Sequence, residues 1–159
     1  MMALQVRRIV TGHDANGRAV VKDDKVMDNL VVSRPGSTWA NIWTTEGTID
    51  NNDDTDGALR KVGTSHADGS VFRIVHYEPG VARRNHRTDS LDYGICLAGQ
   101  LDMELDDGVV VHLKPGDVVV QRGTIHNWAN NGTEPAVMAF VLLSAPPYLH
   151  NGKPLDAQG

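Results

Sequence analysis

Two histidines and one aspartate in the middle of this chain are the residues best suited to chemistry. His86 and Asp92 lie six positions apart, and His126 lies in a second stretch further along the chain. On a straight strand six residues span about 20 Å, whereas metal–ligand bonds are about 2 Å long. The two side chains can therefore meet only if the chain bends between them, and the Thr-Asp-Ser sequence at 88–90 is suited to such a bend.

The same three residues admit three kinds of site. Two imidazoles and a carboxylate that converge from separate strands would bind a divalent Zn, Fe, Mn or Ni ion and leave positions open for a substrate. Without a metal, these polar groups in an apolar interior would need hydrogen bonds or shifted pKa values, which suits general acid–base catalysis. The third alternative is a polar trio with no catalytic role in a ligand-binding protein.

Neighbouring residues can be assigned to a face by the two-residue repeat of a strand. Ser90 and Cys96 share the face of Asp92, and Trp128 shares the face of His126. We expect Cys96 to be a small apolar filler of the interior. Trp128 is a candidate for the wall of a pocket, with core packing as the alternative.

Basic residues could provide the counter-charge for an anionic substrate. The candidates are Arg73 and the group formed by Arg83, Arg84 and Arg87. The alternative interpretation of the group is a solvated loop. The strand that carries Arg73 has two faces, and the sequence does not indicate whether the face with Arg73 or the opposite face points into the protein.

The elements that must position these residues are short, valine-rich segments separated by Gly, Pro, Asn and Asp, a pattern typical of strands joined by turns. Strands are predicted at 6–10, 18–22, 29–33, 39–44, 71–78, 91–97, 101–105, 109–113, 118–121 and 136–143. The polar segment 50–70 is long for a loop, and we expect it to be mobile, with either a short helix near 58–61 or the role of a lid over the site. Strands at this spacing without crossover helices predict an antiparallel all-β sandwich or barrel.

Composition limits the partners and the number of domains. The 159 residues, 40% hydrophobic and 22% charged, fit one globular domain, and the net charge of −5 disfavours nucleic acid and anionic membranes. Cys96 is the only cysteine, so an intrachain disulfide is excluded. Residues 1–10 have no signal-peptide core and no window reaches the roughly 20 apolar residues of a membrane span, so we expect a cytoplasmic protein.

Two glycine-bounded stretches resemble the paired motifs of the cupin superfamily. In the first, Gly80, His86 and Gly99 fall at the motif spacings, Thr88 replaces the second histidine of the motif and Asp92 replaces its glutamate. In the second, the matching residues are Gly116, Gly123, His126 and Asn130, and Gln121 replaces the proline. The motifs and the strands between them cover residues 80–130, about a third of the chain.

The resemblance implies a jelly-roll β-barrel, also called a double-stranded β-helix, in a single domain. This domain would comprise N-terminal strands at 1–49, the polar loop at 50–70, a core barrel at 71–144 and an extended tail at 145–159. It also implies a homodimer and a site inside the barrel, with His86, Asp92 and His126 as metal ligands and Thr88 as a hydrogen-bond donor.

The function that the resemblance favours is a metal-dependent lyase, isomerase or dioxygenase for a small carbonyl or carboxylate compound. The alternatives are a metal-free dehydratase or isomerase and a non-catalytic ligand-binding cupin.

Overall fold

The computed structural model describes residues 4–159 and is almost entirely built of β-strands. The first three residues of the predicted N-terminal region lie outside the described residues. In chain order, the strands are β1 (Arg7–His13), β2 (Ala19–Val26), β3 (Leu30–Arg34), β4 (Ser37–Glu46), β5 (Gly69–Tyr77), β6 (Ser90–Ala98), β7 (Leu101–Glu104), β8 (Val110–Leu113), β9 (Val118–Arg122), β10 (Asn127–Ala129), β11 (Ala136–Ser144), β12 (Leu149–His150) and β13 (Lys153–Pro154).

Two antiparallel sheets form the jelly roll that the sequence predicts. The larger sheet has six strands in the order β3-β4-β5-β11-β6-β9, and the smaller has three in the order β10-β7-β8. Strands β1 and β2 form a separate hairpin, as do β12 and β13 at the end of the chain. Short 3₁₀ turns at Gly57–Leu59 and Asp106–Gly108 are the only helical segments within residues 4–159. The turn at Gly57–Leu59 replaces the short helix expected near 58–61.

The main core lies between the two sheets and contains the buried apolar residues of both. The larger sheet provides side chains such as Val75 and Met138, and the smaller sheet provides Leu101, Met103 and Trp128. The alternation of buried and exposed residues along β6 places Cys96 in this core, as expected for a small apolar filler. The core therefore covers the inner face of the large sheet, and the candidate site lies on this same face.

A second core covers the opposite face of the central strands. Ala40, Ile42, Ile74 and Ala139 pack there against Met27 and other residues of the N-terminal segment. Strand β5 is buried on both faces for this reason, and its residues from Val71 to Tyr77 alternate between the two cores. The two cores hold β5 and β11 firmly, which makes these strands a rigid wall for the cavity described below.

Gly99 shows why the motif glycines fall at fixed positions. Its φ is +69°, a conformation that L side chains rarely adopt, and a Cβ on it would lie 2.2 Å from the carbonyl oxygen of Pro135. Only glycine can therefore connect β6 to β7 while the chain passes this close to the start of β11.

Candidate functional site

His86 and His126 are brought together by a backbone bridge. The amide of His86 donates to the carbonyl of His126 at 2.9 Å, and the amide of His126 donates to the carbonyl of His86 at 3.0 Å. His86 lies in the segment between β5 and β6, and His126 immediately precedes β10. Because opposed residues in such a bridge present their side chains on the same side, the two rings meet, with centroids 4.1 Å apart.

The hydrogen bonds of the rings fix their tautomers. The Nδ1 atom of His86 lies 3.1 Å from the carbonyl oxygen of Arg84, and the Nδ1 atom of His126 lies 2.9 Å from that of Thr124. A carbonyl oxygen can only accept, so each Nδ1 carries the hydrogen. In a neutral ring the Nε2 atom then keeps a free lone pair.

Both rings are neutral at pH 7. Burial, together with repulsion from His126, lowers the pKa of His86 to about 4. Burial, with a smaller contribution from Arg84, also lowers the pKa of His126. The pair therefore provides two Nε2 lone pairs that can act as bases or as ligands.

Asp92, Ser90 and Thr88 form a chain of hydrogen bonds at the start of β6. The Ser90 hydroxyl lies 2.5 Å from Asp92 Oδ1 and 2.8 Å from Thr88 Oγ1. The serine has a single proton, so the donor direction along the chain depends on whether Asp92 is protonated. Burial raises the pKa of Asp92 to about 6, opposed by the Ser90 hydrogen bond and by Arg73. The three residues can thus relay a proton at near-neutral pH.

One cavity of about 280 Å³ contains all four side chains proposed from the sequence: His86, Thr88, Asp92 and His126. Its other polar walls include Arg34, Arg73, Arg84 and Tyr77, and its apolar walls include Trp39, Trp128, Phe140 and Leu142. The rings of Trp128 and His126 meet edge to face, with their centroids 5.5 Å apart. This tryptophan is therefore a wall of the cavity as well as part of the core.

The basic residues divide between the cavity and the surface. Arg73 and Arg84 line the cavity, whereas Arg83 is largely exposed and pairs with Glu104 at 2.6 Å. Arg87 is not among the cavity residues, so only one member of the predicted group at 83–87 contributes to the cavity. Sequence reasoning missed Arg34, which ends β3 and gives no local signal of its position. It also assigned Ser90 to the bend and to the face of Asp92 but gave it no part in the chemistry.

The donor set does not match the predicted three-ligand metal site. Within residues 4–159, no three His, Cys, Asp or Glu side chains lie close enough together to hold one ion. His86 and His126 form a pair, but the carboxylate of Asp92 is bonded to Ser90 and is one methylene shorter than the glutamate of the cupin motif. Thr88 offers a neutral hydroxyl, which is a poor ligand for a transition metal. The residues present therefore fit a two-imidazole site rather than a complete metal centre.

Comparison with known proteins identifies relatives along nearly the whole chain. The family described as "Cupin domain" matches residues 73–142. The chain is 38% identical to "Cupin-domain-containing oxidoreductase fogC" of Aspergillus ruber, over 96% of this chain and 79% of that protein. It is also 38% identical to "Phomopsin biosynthesis cluster protein C'" of Diaporthe leptostromiformis, over 92% of this chain and 82% of that protein.

Solved structures support the fold. The polyketide cyclase RemF of Streptomyces resistomycificus superposes with a TM-score of 0.51 at 16% identity, covering 80% of this chain and 75% of that one. In the part of the chain that the structure describes, no helix is long and apolar enough to span a membrane.

Proposed function

Because this chain belongs to the cupin family, whose matching members include proteins named as oxidoreductases, we propose that it is a small-molecule enzyme that moves protons inside the cavity. The observation that carries this proposal is the pair of Nε2 atoms on the buried residues His86 and His126. Both are left free by the carbonyl bonds at Nδ1. A base of this kind is suited to removing a proton from a carbon next to a carbonyl group.

The proposed reaction begins with proton transfer from that carbon to an Nε2 atom. The electron pair of the C–H bond forms a C=C bond, and the carbonyl oxygen takes the negative charge. Thr88 donates a proton to this oxygen, Ser90 restores the proton to Thr88, and protonated Asp92 restores it to Ser90. In a hydroxy-carbonyl compound, the hydroxyl on the first carbon then returns its proton through Thr88 and Ser90 to Asp92, and its oxygen becomes the new carbonyl. The electron pair of the C=C bond takes the Nε2 proton onto the neighbouring carbon. The product is the isomer, and the histidine, Thr88, Ser90 and Asp92 are back in their starting protonation states.

An isomerisation of this kind is compatible with relatives that are named oxidoreductases. In a hydroxy-carbonyl compound, it oxidises one carbon and reduces its neighbour, so it needs no external oxidant. The name of the Diaporthe relative places that protein in a biosynthesis cluster. We extend to this chain the role of modifying a small biosynthetic compound.

The second candidate function is a metal-dependent reaction with a divalent Zn, Fe, Mn or Ni ion. In its favour, both histidines donate Nδ1–H to a carbonyl oxygen, as metal-bound histidines commonly do. Against it, a third protein donor is missing from the pair. A protein that only binds a ligand remains the candidate outside enzymes.

Deuterium exchange into a simple ketone tests the acid–base proposal. The protein is incubated in D₂O with 4-acetylbenzoate and a chelator, and proton NMR follows loss of the methyl signal. His86→Asn and His126→Asn should each slow the enzyme-dependent exchange about 100-fold. Asparagine can still donate from the position of Nδ1 but has no basic atom in place of Nε2.

His112→Asn is the matched control, because the His112 side chain is 80% exposed and lies outside the cavity. It should leave the exchange rate unchanged. Exchange by the wild type no faster than by the double histidine variant would contradict the proposal. Exchange that stops with chelator and returns with added Zn, Fe, Mn or Ni would favour the metal candidate instead.

A further inference from the structure

Two arginines of the cavity, the buried Arg73 and the partly buried Arg34, have no carboxylate partner. Arg73 is only 7% exposed, and its Nη2 atom donates to the carbonyl of Gly63 at 2.7 Å. Arg34 donates from Nε to the carbonyl of Ala82 at 2.7 Å. Within residues 4–159, neither forms an ion pair, and both Arg73 Nε and Arg34 Nη2 are buried without a hydrogen-bond partner.

The cavity as a whole has an excess of positive charge. Arg84 is a third arginine in its wall, held by Gly159 O at 2.6 Å and Thr64 Oγ1 at 3.1 Å. Asp92 is the only acidic side chain among the lining residues, and it is bonded to Ser90. Three guanidinium groups therefore share the cavity wall with one carboxylate.

This arrangement is unfavourable in an empty cavity. Burial is the main cause that lowers the pKa of Arg73 to about 10, and burial also lowers the pKa of Arg34. An unpaired buried charge is strongly destabilising, and an anion that forms hydrogen bonds to it removes this cost. A bound anion would supply the acceptors that Arg34 Nη2 and Arg73 Nε lack.

The walls also indicate the shape of such an anion. The guanidinium of Arg73 stacks on Trp39 at 4.5 Å, and that of Arg34 lies 5.9 Å from the ring of Tyr77. Guanidinium groups are planar, and their paired N–H donors suit the two oxygens of a carboxylate. Trp128 and Phe140, with ring centroids 5.2 Å apart, form an apolar aromatic wall of the same cavity.

We infer that the substrate class is an aromatic or similarly flat organic carboxylate, seated with its carboxylate on Arg34 and Arg73 and its apolar body against Trp128 and Phe140. This inference rests on the proposed function for the identity of the cavity as the active site. Binding of the anion itself needs no turnover, so the two ideas can fail separately.

Calorimetric binding of benzoate and of neutral benzamide tests the inference on the full chain. The wild type should bind benzoate at least about tenfold more tightly than benzamide. Arg73→Gln and Arg34→Gln should each weaken benzoate binding by about tenfold or more and leave benzamide binding unchanged. Arg83→Gln is the matched control, because this exposed arginine pairs with Glu104 outside the cavity, and it should bind benzoate like the wild type.

Equal affinity of the wild type for benzoate and benzamide, or benzoate binding that survives both arginine substitutions, would overturn the inference. If Arg73→Gln does not fold, Arg34→Gln alone decides, since Arg34 is only partly buried. Arginine-dependent benzoate binding without deuterium exchange into 4-acetylbenzoate would support the anion site and contradict the proton-transfer function. Deuterium exchange into 4-acetylbenzoate without tighter binding of benzoate than of benzamide would support the proton-transfer function and contradict the anion site.

Discussion

Thr88 lies in the wall of the cavity that contains His86 and His126, at the motif position where cupins have a second histidine. Thr88→His should complete a set of three imidazoles and raise the affinity for Zn²⁺ by about tenfold or more. Calorimetric titration of chelator-treated protein with ZnCl₂ measures the change. Thr133→His adds a histidine in an exposed loop and is the control. Equal Zn²⁺ affinity of Thr88→His and the wild type would show that position 88 cannot join the histidine pair.

The types of the site residues could be predicted from the sequence, but their contacts could not. The motif spacings indicate His86 and His126, yet the ring pair depends on a bridge between segments 40 positions apart. Arg34 pairs with Ser37 across the Pro35–Gly36 turn, which is a local hairpin signal, but nothing in the sequence indicates that this end of the hairpin lines the cavity. The sequence shows that Asp92 is one methylene shorter than the glutamate of the cupin motif. The hydrogen bond between Ser90 and its carboxylate is visible only in the structure.

Among the elements, the segment between β4 and β5 is tied to the N-terminal hairpin by one buried arginine. Arg8 Nη1 and Nη2 donate to the two oxygens of Asp56 at 2.5 and 2.8 Å, and Arg8 also pairs with Asp23. The Thr44 hydroxyl donates to the carbonyl of Gly57 at 2.6 Å, which adds a second attachment. The middle of the predicted mobile loop is therefore anchored, and the expectation that the loop is more mobile than the barrel stays a prediction.

Asp56→Asn should destabilise the protein by about 1–2 kcal/mol at pH 7. Hydrogen bonds from Arg8, partly opposed by burial, lower the pKa of Asp56 to about 2 from its ordinary value of 3.8. A carboxylate with a lowered pKa in the folded state stabilises it above the unfolded pKa, and this contribution is lost as the pH falls from about 4 towards 2.

Urea unfolding at pH 7 and at steps down to pH 2 measures this difference. The variant should approach the wild type in stability at the lowest pH. Asp24→Asn is the control, because Asp24 pairs with the exposed Arg7 and surface pairs contribute little. An equal loss of stability in both variants at pH 7 would mean that the buried pair does not anchor the segment.

Ten strands of the barrel and the N-terminal hairpin were predictable, because each is a short run with apolar residues, often valine, bounded by turn residues. Strand β11, predicted at 136–143, runs from Ala136 to Ser144. The hairpin of β12 and β13 was missed, since two-residue strands leave no repeat to detect. The tail returns to the site through the paired amides and carbonyls of Arg87 and Gln158, a contact between distant parts of the chain.

At the scale of the whole molecule, one outer face of the large sheet is exposed and apolar. Tyr93 and Ile95 on β6 pair with Val120 and Val118 on β9, and all four side chains are exposed. Strand β9 also forms one edge of the sheet. Exposed apolar patches next to open edges mark interaction surfaces, and the chemistry here is self-complementary for a second copy.

We therefore predict a homodimer that covers the face formed by β6 and β9. Val120→Lys should shift the protein towards monomer in sedimentation equilibrium at micromolar concentration. Val32→Lys, on the β3 edge of the same sheet, is the control and should leave the dimer intact. A wild-type monomer would contradict the prediction. Dissociation by Val32→Lys alone would move the interface to the N-terminal strands.

The backbone bridge between His86 and His126 affects which residues of the cavity can be substituted. The separation of the two rings is set by main-chain hydrogen bonds, which are independent of side-chain identity at the surrounding positions. Other residues that line the cavity, such as Trp39, Phe140 and Leu142, belong to other strands. Substitutions in these walls can therefore change which compound is accepted without moving the histidine pair. For protein engineering, the walls of the cavity could thus be redesigned while the backbone bridge keeps the histidine pair in place.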